Sequence, residues 1–132
     1  MPFVLDASIP ACWALQDKED PRALAAFTRI QSDDALIPSL WWFEIRNILV
    51  VNERRKRITE SDSGVFLRDL ASLRLKVDRA PEESVVLSIA RTHRLSVYDA
   101  SYLELALRQA APLATLDKQL RAAARAEGSG LI

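Results

Sequence analysis

The chain has 132 residues, 49% hydrophobic and 27% charged, with 18 basic and 18 acidic side chains and a formal net charge of zero. This is the profile of one ordinary globular domain with a real core, and it excludes binding to a polyanion through bulk charge alone. One cysteine, Cys12, excludes an internal disulfide, and no apolar run approaches the roughly 18 to 20 residues that cross a bilayer.

The opening MPFVLDAS has no basic segment leading into a long apolar stretch, so a secretory signal is not expected; a reducing cytoplasm suits the lone thiol. FVLD, from Phe3 to Asp6, reads as a short strand, followed by helical IPACWALQ and an alanine-rich helix from Pro21 to about Ser32 with proline in its first turn. ALIP, from Ala35 to Pro38, reads as a second strand closed by proline. A long helix then runs from about Ser39, a suitable N-cap, to Arg55. Thr59 or Ser61 starts a helix to about Ser72, and Leu73 to Val77 forms a third strand. Pro81, Glu82 and Glu83 open a helix through His93, acids in the first turn suiting the helix dipole. Asp99 opens a helix to Gln109, Pro112 to Thr115 is a strand, and Asp117 to about Ala126 is the closing helix. Strands alternating with helices predict a parallel sheet covered on both faces, in a single domain spanning residues 1–132 without repeats or a dividing linker.

In open parallel sheets chemistry collects outside the carboxyl ends of the strands. Asp6 and Asp117 fall there by position, and convergence with Asp99 and Glu44 would make a cup of hard oxygen ligands suited to magnesium or manganese. Taken singly, Asp6, Asp99 and Asp117 read as helix caps, each worth around 1 kcal/mol, which does not exclude metal binding. Glu44 is different, because its helical neighbours Leu40, Trp41, Ile48 and Val51 make an apolar stripe interrupted only by Asn47. A carboxylate there needs a cation, a metal, a set of donors or a proton, and Arg46 would have to reach around the helix to help. Arg54, Arg55, Lys56 and Arg57 follow at the end of the same helix, where cations favour the dipole and could also track a polyanion backbone.

The single histidine, His93, excludes a two-histidine ribonuclease, and with one Cys it excludes a zinc site. Ser8 and Thr115 lack the histidine of a nucleophilic triad, and no glycine-rich phosphate loop follows the first strand. Trp13, Trp41 and Trp42 read as core or interface. Trp41 and Trp42 cannot face the same way on one helix, which leaves one of them for a partner surface.

The segments FVLDAS, EIRN from Glu44 to Asn47, YDASYLELA from Tyr98 to Ala106, and LATLD from Leu113 to Asp117 resemble the PIN-domain ribonucleases. In particular they resemble the toxin component of bacterial VapBC toxin–antitoxin modules, and the resemblance spans essentially the whole chain. It implies a three-layer α/β/α sandwich with a four- or five-stranded parallel sheet. It also implies Mg2+- or Mn2+-dependent cleavage of RNA by Asp6, Glu44, Asp99 and Asp117, with Ser8, Asn47 and Thr115 in support and Asp117 the least fixed as a direct ligand. The partners it implies are an RNA substrate, a cognate VapB-type antitoxin covering the groove, and a second copy of the chain; no membrane is implied. The alternative is a PIN-like module that binds RNA or protein without catalysis. A phosphatase of the haloacid-dehalogenase type would want a second Asp where Ser8 stands, and a receiver domain would want a phosphoacceptor Asp that ALIP does not offer.

Overall fold

The computed structural model describes residues 1–15 and 19–132, so Gln16, read above as the end of a helix, lies outside the described residues. Strands β1 (Phe3–Leu5), β2 (Ala35–Pro38), β3 (Leu75–Asp78) and β4 (Leu113–Ala114) form one sheet in the order β3-β2-β1-β4. Every pairing is parallel. The central β1 is fully buried along its length, which is why it reads as an unbroken apolar run and not as an alternation. The edge strand β3 instead exposes Lys76 and Val77, and a lysine on an outer strand discourages pairing with another chain. Beyond β4 a single parallel bridge from Leu113 to Leu131 holds the chain end, the seed of a fifth strand position.

The helices are α1 (Ser8–Ala14), α2 (Pro21–Arg29), α3 (Trp41–Arg54), α4 (Glu60–Ala71), α5 (Glu83–His93), α6 (Val97–Arg108) and α7 (Lys118–Ala126). α1 packs on α2 and α3, whereas α6 packs on α5 and α7, giving two helical groups. Right-handed crossovers put these groups on opposite faces of the sheet, because β1 to β2 steps one way and β3 to β4 steps back. α6 lies across β2, β1 and β4 and is buried nearly all round, through Ala100, Tyr102, Leu103, Glu104, Leu105 and Ala106.

Several boundaries differ from the sequence reading for local reasons. The helix from Pro21 stops at Arg29, where Gln31, Ser32 and Asp33 fold back in turns onto Thr28 and Arg29. Ser39 does not cap α3, whose N-cap is Leu40, one residue later, without a side-chain cap bond. Thr59 wins over Ser61 as the start of α4 because it forms a reciprocal capping box with Asp62. β3 begins at Leu75 because the Leu73 amide is still bonded to Leu70 at the end of α4. Asp99 does not open α6; Ser96 does, its hydroxyl accepting the Asp99 amide at 3.0 Å. The strand read from Pro112 to Thr115 is paired only at Leu113 and Ala114.

Candidate acidic site

The β1–β4 register sets the first two positions. Leu5 pairs with Ala114, so Asp6 and Thr115 emerge side by side at the carboxyl edge, with the Asp6 amide bonded to the Ala114 carbonyl at 3.0 Å. Asp6 is buried, and its Oδ2 accepts hydrogen bonds from Ser8 Oγ and Thr115 Oγ1, both at 2.6 Å. Burial pushes this carboxyl above its ordinary 3.8 even though both hydroxyls favour the charged form. Ser8 Oγ also accepts the Leu116 amide, and Thr115 Oγ1 the Asp117 amide, which stitches the two strand ends together.

Asp117 is the N-cap of α7, its Oδ1 taking the Leu120 amide at 2.8 Å. Capping and membership of the site are therefore compatible in one residue. Because α3 follows β2 after a short link, its first turn lies at the same edge of the sheet and brings Glu44 with it. The most deeply buried residues of α3 are Trp41, Ile45, Leu49 and Asn52, with Leu40 and Ile48 of the stripe inferred from the sequence partly buried against the core beside them. Glu44 stands on the border of this buried face, half-buried, where the buried Tyr102 hydroxyl donates to its Oε1. Burial first, then repulsion from Asp6 and Asp99, raise its carboxyl above 4.5, and the Tyr102 bond offsets part of this. Asp99, half-buried in the first turn of α6, is likewise raised by burial, then by Asp117 and Asp6, against the opposing Ser96 hydroxyl. The Tyr102 phenol is driven far up by its own burial, then by Asp6 and Glu44, and stays protonated.

The structure thus brings Asp6, Glu44, Asp99 and Asp117 from four elements into one electrostatic neighbourhood, with Ser8 and Thr115 bound to Asp6. Asn47 is exposed on α3 and takes no part in these hydrogen bonds. Arg46 does not reach Glu44; it stacks over Trp42 at 3.8 Å and donates to the Trp42 carbonyl. Trp41 is buried and Trp42 is 53% exposed, so the pair divides between core and surface. His93 is bonded to Glu127 at 2.7 Å, across from α7. Tyr102 and Ser96 are the residues sequence reasoning missed: Ser96 carried a readable signal, a serine before a helical run, whereas Tyr102 is joined to a partner 58 positions away.

Among the described residues, the charges acting on Glu44 and Asp99 are carboxylates. Among the described residues no three acidic, imidazole or thiol groups are gathered tightly enough to enclose an ion, since Asp6 and Glu44 are turned toward protein hydroxyls. The donor chemistry nonetheless fits a hard divalent cation: all oxygen, crowded, and, among the described residues, bonded by no lysine or arginine.

The PIN domain family profile matches residues 3–126. A curated relative, Ribonuclease VapC3 of Pyrobaculum aerophilum, is 31% identical over 123 residues, covering 91% of this chain and 92% of that protein. The crystal structure of PAE2754 from Pyrobaculum aerophilum superposes with a TM-score of 0.73 at 26% identity, over 93% of this chain and 79% of that one. FitAcB from Neisseria gonorrhoeae gives 0.68 at 17% identity, covering 100% of this chain and 96% of that one. VapC20 of Mycobacterium tuberculosis, described as a sarcin-ricin loop cleaving toxin, gives 0.61 at 14%, over 92% and 94%; these two likenesses speak for the fold. With the profile spanning nearly the whole chain and a relative above the 30% level along almost all of its own length, this chain belongs to the PIN domain family.

Proposed function

We propose that the protein is a divalent-metal-dependent endoribonuclease, the toxin of a type II toxin–antitoxin pair, built as a single domain over residues 1–132. The observation that carries the reading is the cluster of four carboxylates at the carboxyl edge of the sheet, where the charges acting on Glu44 and Asp99 are, among the described residues, other members of the cluster. The likeness to Ribonuclease VapC3 along nearly its full length supplies the reaction class. Asp6, Glu44, Asp99 and Asp117 would hold Mg2+ or Mn2+, which when bound supplies Lewis-acid stabilisation of charge on a phosphodiester and a more acidic water.

The chain's own residues supply the frame. Ser8 and Thr115 fix Asp6 through one oxygen, Oδ2, and Tyr102 fixes Glu44 through Oε1. Asp117 is anchored by the α7 amide it caps. The N-terminal ends of α3 and α7 bring their partial positive charge to the same edge, where a phosphate is welcome. No histidine is needed to move a proton, in keeping with the engagement of His93 by Glu127.

The antitoxin and a second protomer are the proposed protein partners. Trp42 and Phe43, 53% and 70% exposed, are the most exposed apolar side chains of α3; Trp41, read earlier as a candidate with Trp42, is buried and is not one of them. Alanine at Trp42 should weaken one of the two assemblies, and unchanged assembly with both partners would remove it from the interface. No helix among the described residues is long and apolar enough to cross a membrane, and the proposed site of action is the cytoplasm.

The test is end-mapping of cellular RNA after expression in a bacterium, beside Asp99→Asn. New discrete ends with the wild type alone support a selective nuclease and name its target. Identical profiles from soluble, folded proteins would favour a PIN-like binding module.

A further inference from the structure

Tyr102 is fully buried, yet its hydroxyl lies where three of the acid-bearing elements meet. It donates to Oε1 of Glu44 on α3, and the Asp6 carboxylate at the end of β1 is near enough to act on the same phenol. It stands three residues after Asp99, so helical geometry places the two on neighbouring positions of α6. A phenylalanine would fill the same core volume; the hydroxyl is the only part of the side chain that volume does not explain. We infer that Tyr102 is a positioning residue for the acidic site, holding one oxygen of Glu44 so that the other is presented, with its direction fixed, beside Asp6 and Asp99.

The inference rests on the metal-dependent reading and deepens it. Without the hydroxyl, Glu44 keeps its place on α3 but loses the bond that selects its rotamer. Partners of this kind, one bond removed from a metal, cost about 10- to 100-fold in affinity or activity when deleted. The same loss is expected here, carried by metal affinity and turnover, with substrate KM little changed.

The experiment is Mn2+ titration by calorimetry of wild type, Tyr102→Phe, Glu44→Gln and the double variant, with single-turnover cleavage of an RNA substrate beside it. Tyr102→Phe is expected to fold and to bind Mn2+ roughly 10- to 100-fold more weakly. In the Glu44→Gln background the same change should have little further effect, because the partner it positions is gone. Wild-type affinity in Tyr102→Phe, or an equal loss in both backgrounds, overturns the inference and leaves the nuclease reading standing. A wild type that neither takes up Mn2+ nor cuts RNA overturns that reading and the inference with it. A second measurement keeps the question open to refutation if Tyr102→Phe does not fold. Tyrosine labelled with 13C at Cζ reports only Tyr98 and Tyr102, the two tyrosines of the chain. The Tyr102 resonance should move with Mg2+ occupancy in the wild-type protein, and a resonance that stays still throughout the titration refutes the contact as a positioning device.

Discussion

Two groups of carboxylates in this protein start from the same side chains and end in opposite electrostatic states. On α6, Glu104 is 2% exposed and lies against Arg108, with Nε to Oε2 at 2.6 Å, while the same guanidinium reaches Asp78 at the end of β3 through two bonds of 2.9 and 3.0 Å. One arginine satisfies both acids, and its bond to Asp78 holds that carboxyl below the ordinary 3.8. One turn nearer the N-terminus of the same helix, Asp99 faces Asp117 and Asp6, and its carboxyl is pushed up. The first group holds a guanidinium between its two acids; the second, among the described residues, has no cation bonded to it. Burial of acids is therefore not what distinguishes a site from a structural network. The presence or absence of a bonded cation among the described residues is.

The contrast breaks most visibly in activity. Asp99→Asn or Glu44→Gln should lower cleavage by on the order of a thousandfold, since several kcal/mol of charge stabilisation depend on the bound cation. Far-UV circular dichroism should stay native, and a variant with near-normal cleavage in a purified assay would remove that residue from the site. Arg108→Leu should do the reverse. Losing the cation leaves Glu104 buried without its partner and should cost roughly 3–5 kcal/mol, read from urea unfolding. Its Mn2+ affinity should stay near wild type, and a loss below about 1 kcal/mol would mean that water reaches Glu104 and the network is worth little more than a surface ion pair.

External cations sharpen the comparison. Mn2+ at a hundred times its dissociation constant should stabilise the wild type by about 2.7 kcal/mol through mass action. Differential scanning fluorimetry should show the shift, with Asp99→Asn reducing it and Arg108→Leu preserving its size. A wild type whose melting is indifferent to Mn2+ would count against a metal site at these acids.

The sequence showed the two groups unequally. Asp6 and Asp117 were legible because strand ends are marked by apolar runs, and Asp117 was legible as a cap too. Glu44 was found for a reason that was half right: a carboxylate among apolar neighbours does need a donor, but the buried face runs through Trp41, Ile45 and Leu49 and leaves Glu44 at its border. Its donor, Tyr102, is far away in sequence and was read only as part of a family pattern. The Glu104–Arg108 half of the other network sits at helical i, i+4 spacing and was open to inspection. Asp78 was not, because its link to Arg108 spans 30 positions and depends on where β3 ends. Local periodicity fixes which residues share a helix face; it does not say how far a helix rotates against its sheet, and both missed contacts turn on that rotation.

The smallest expected effect is also the most direct reading of sign. Asp78, with its lowered carboxyl, contributes stability that is complete above its ordinary 3.8 and is lost as pH falls through its lower folded value. Asp99 and Glu44 behave oppositely. Their folded carboxyls lie above 3.8 and 4.5, so between those values and the raised ones the folded chain binds more protons than the unfolded chain. Stability from the pocket therefore rises as pH falls through that window. In EDTA, Asp99→Asn should be more stable than the wild type at neutral pH, and its advantage should shrink as pH is lowered toward 4. With saturating Mn2+ the order should reverse, because a bound cation favours the charged carboxylates and Asp99→Asn has one fewer to offer. Thermal melts of the two proteins across pH, with and without Mn2+, measure all four cases. A difference that ignores both pH and metal would mean that Asp99 is relieved of its neighbours' repulsion by solvent, and the distinction between the two acidic groups would then rest on Arg108 alone.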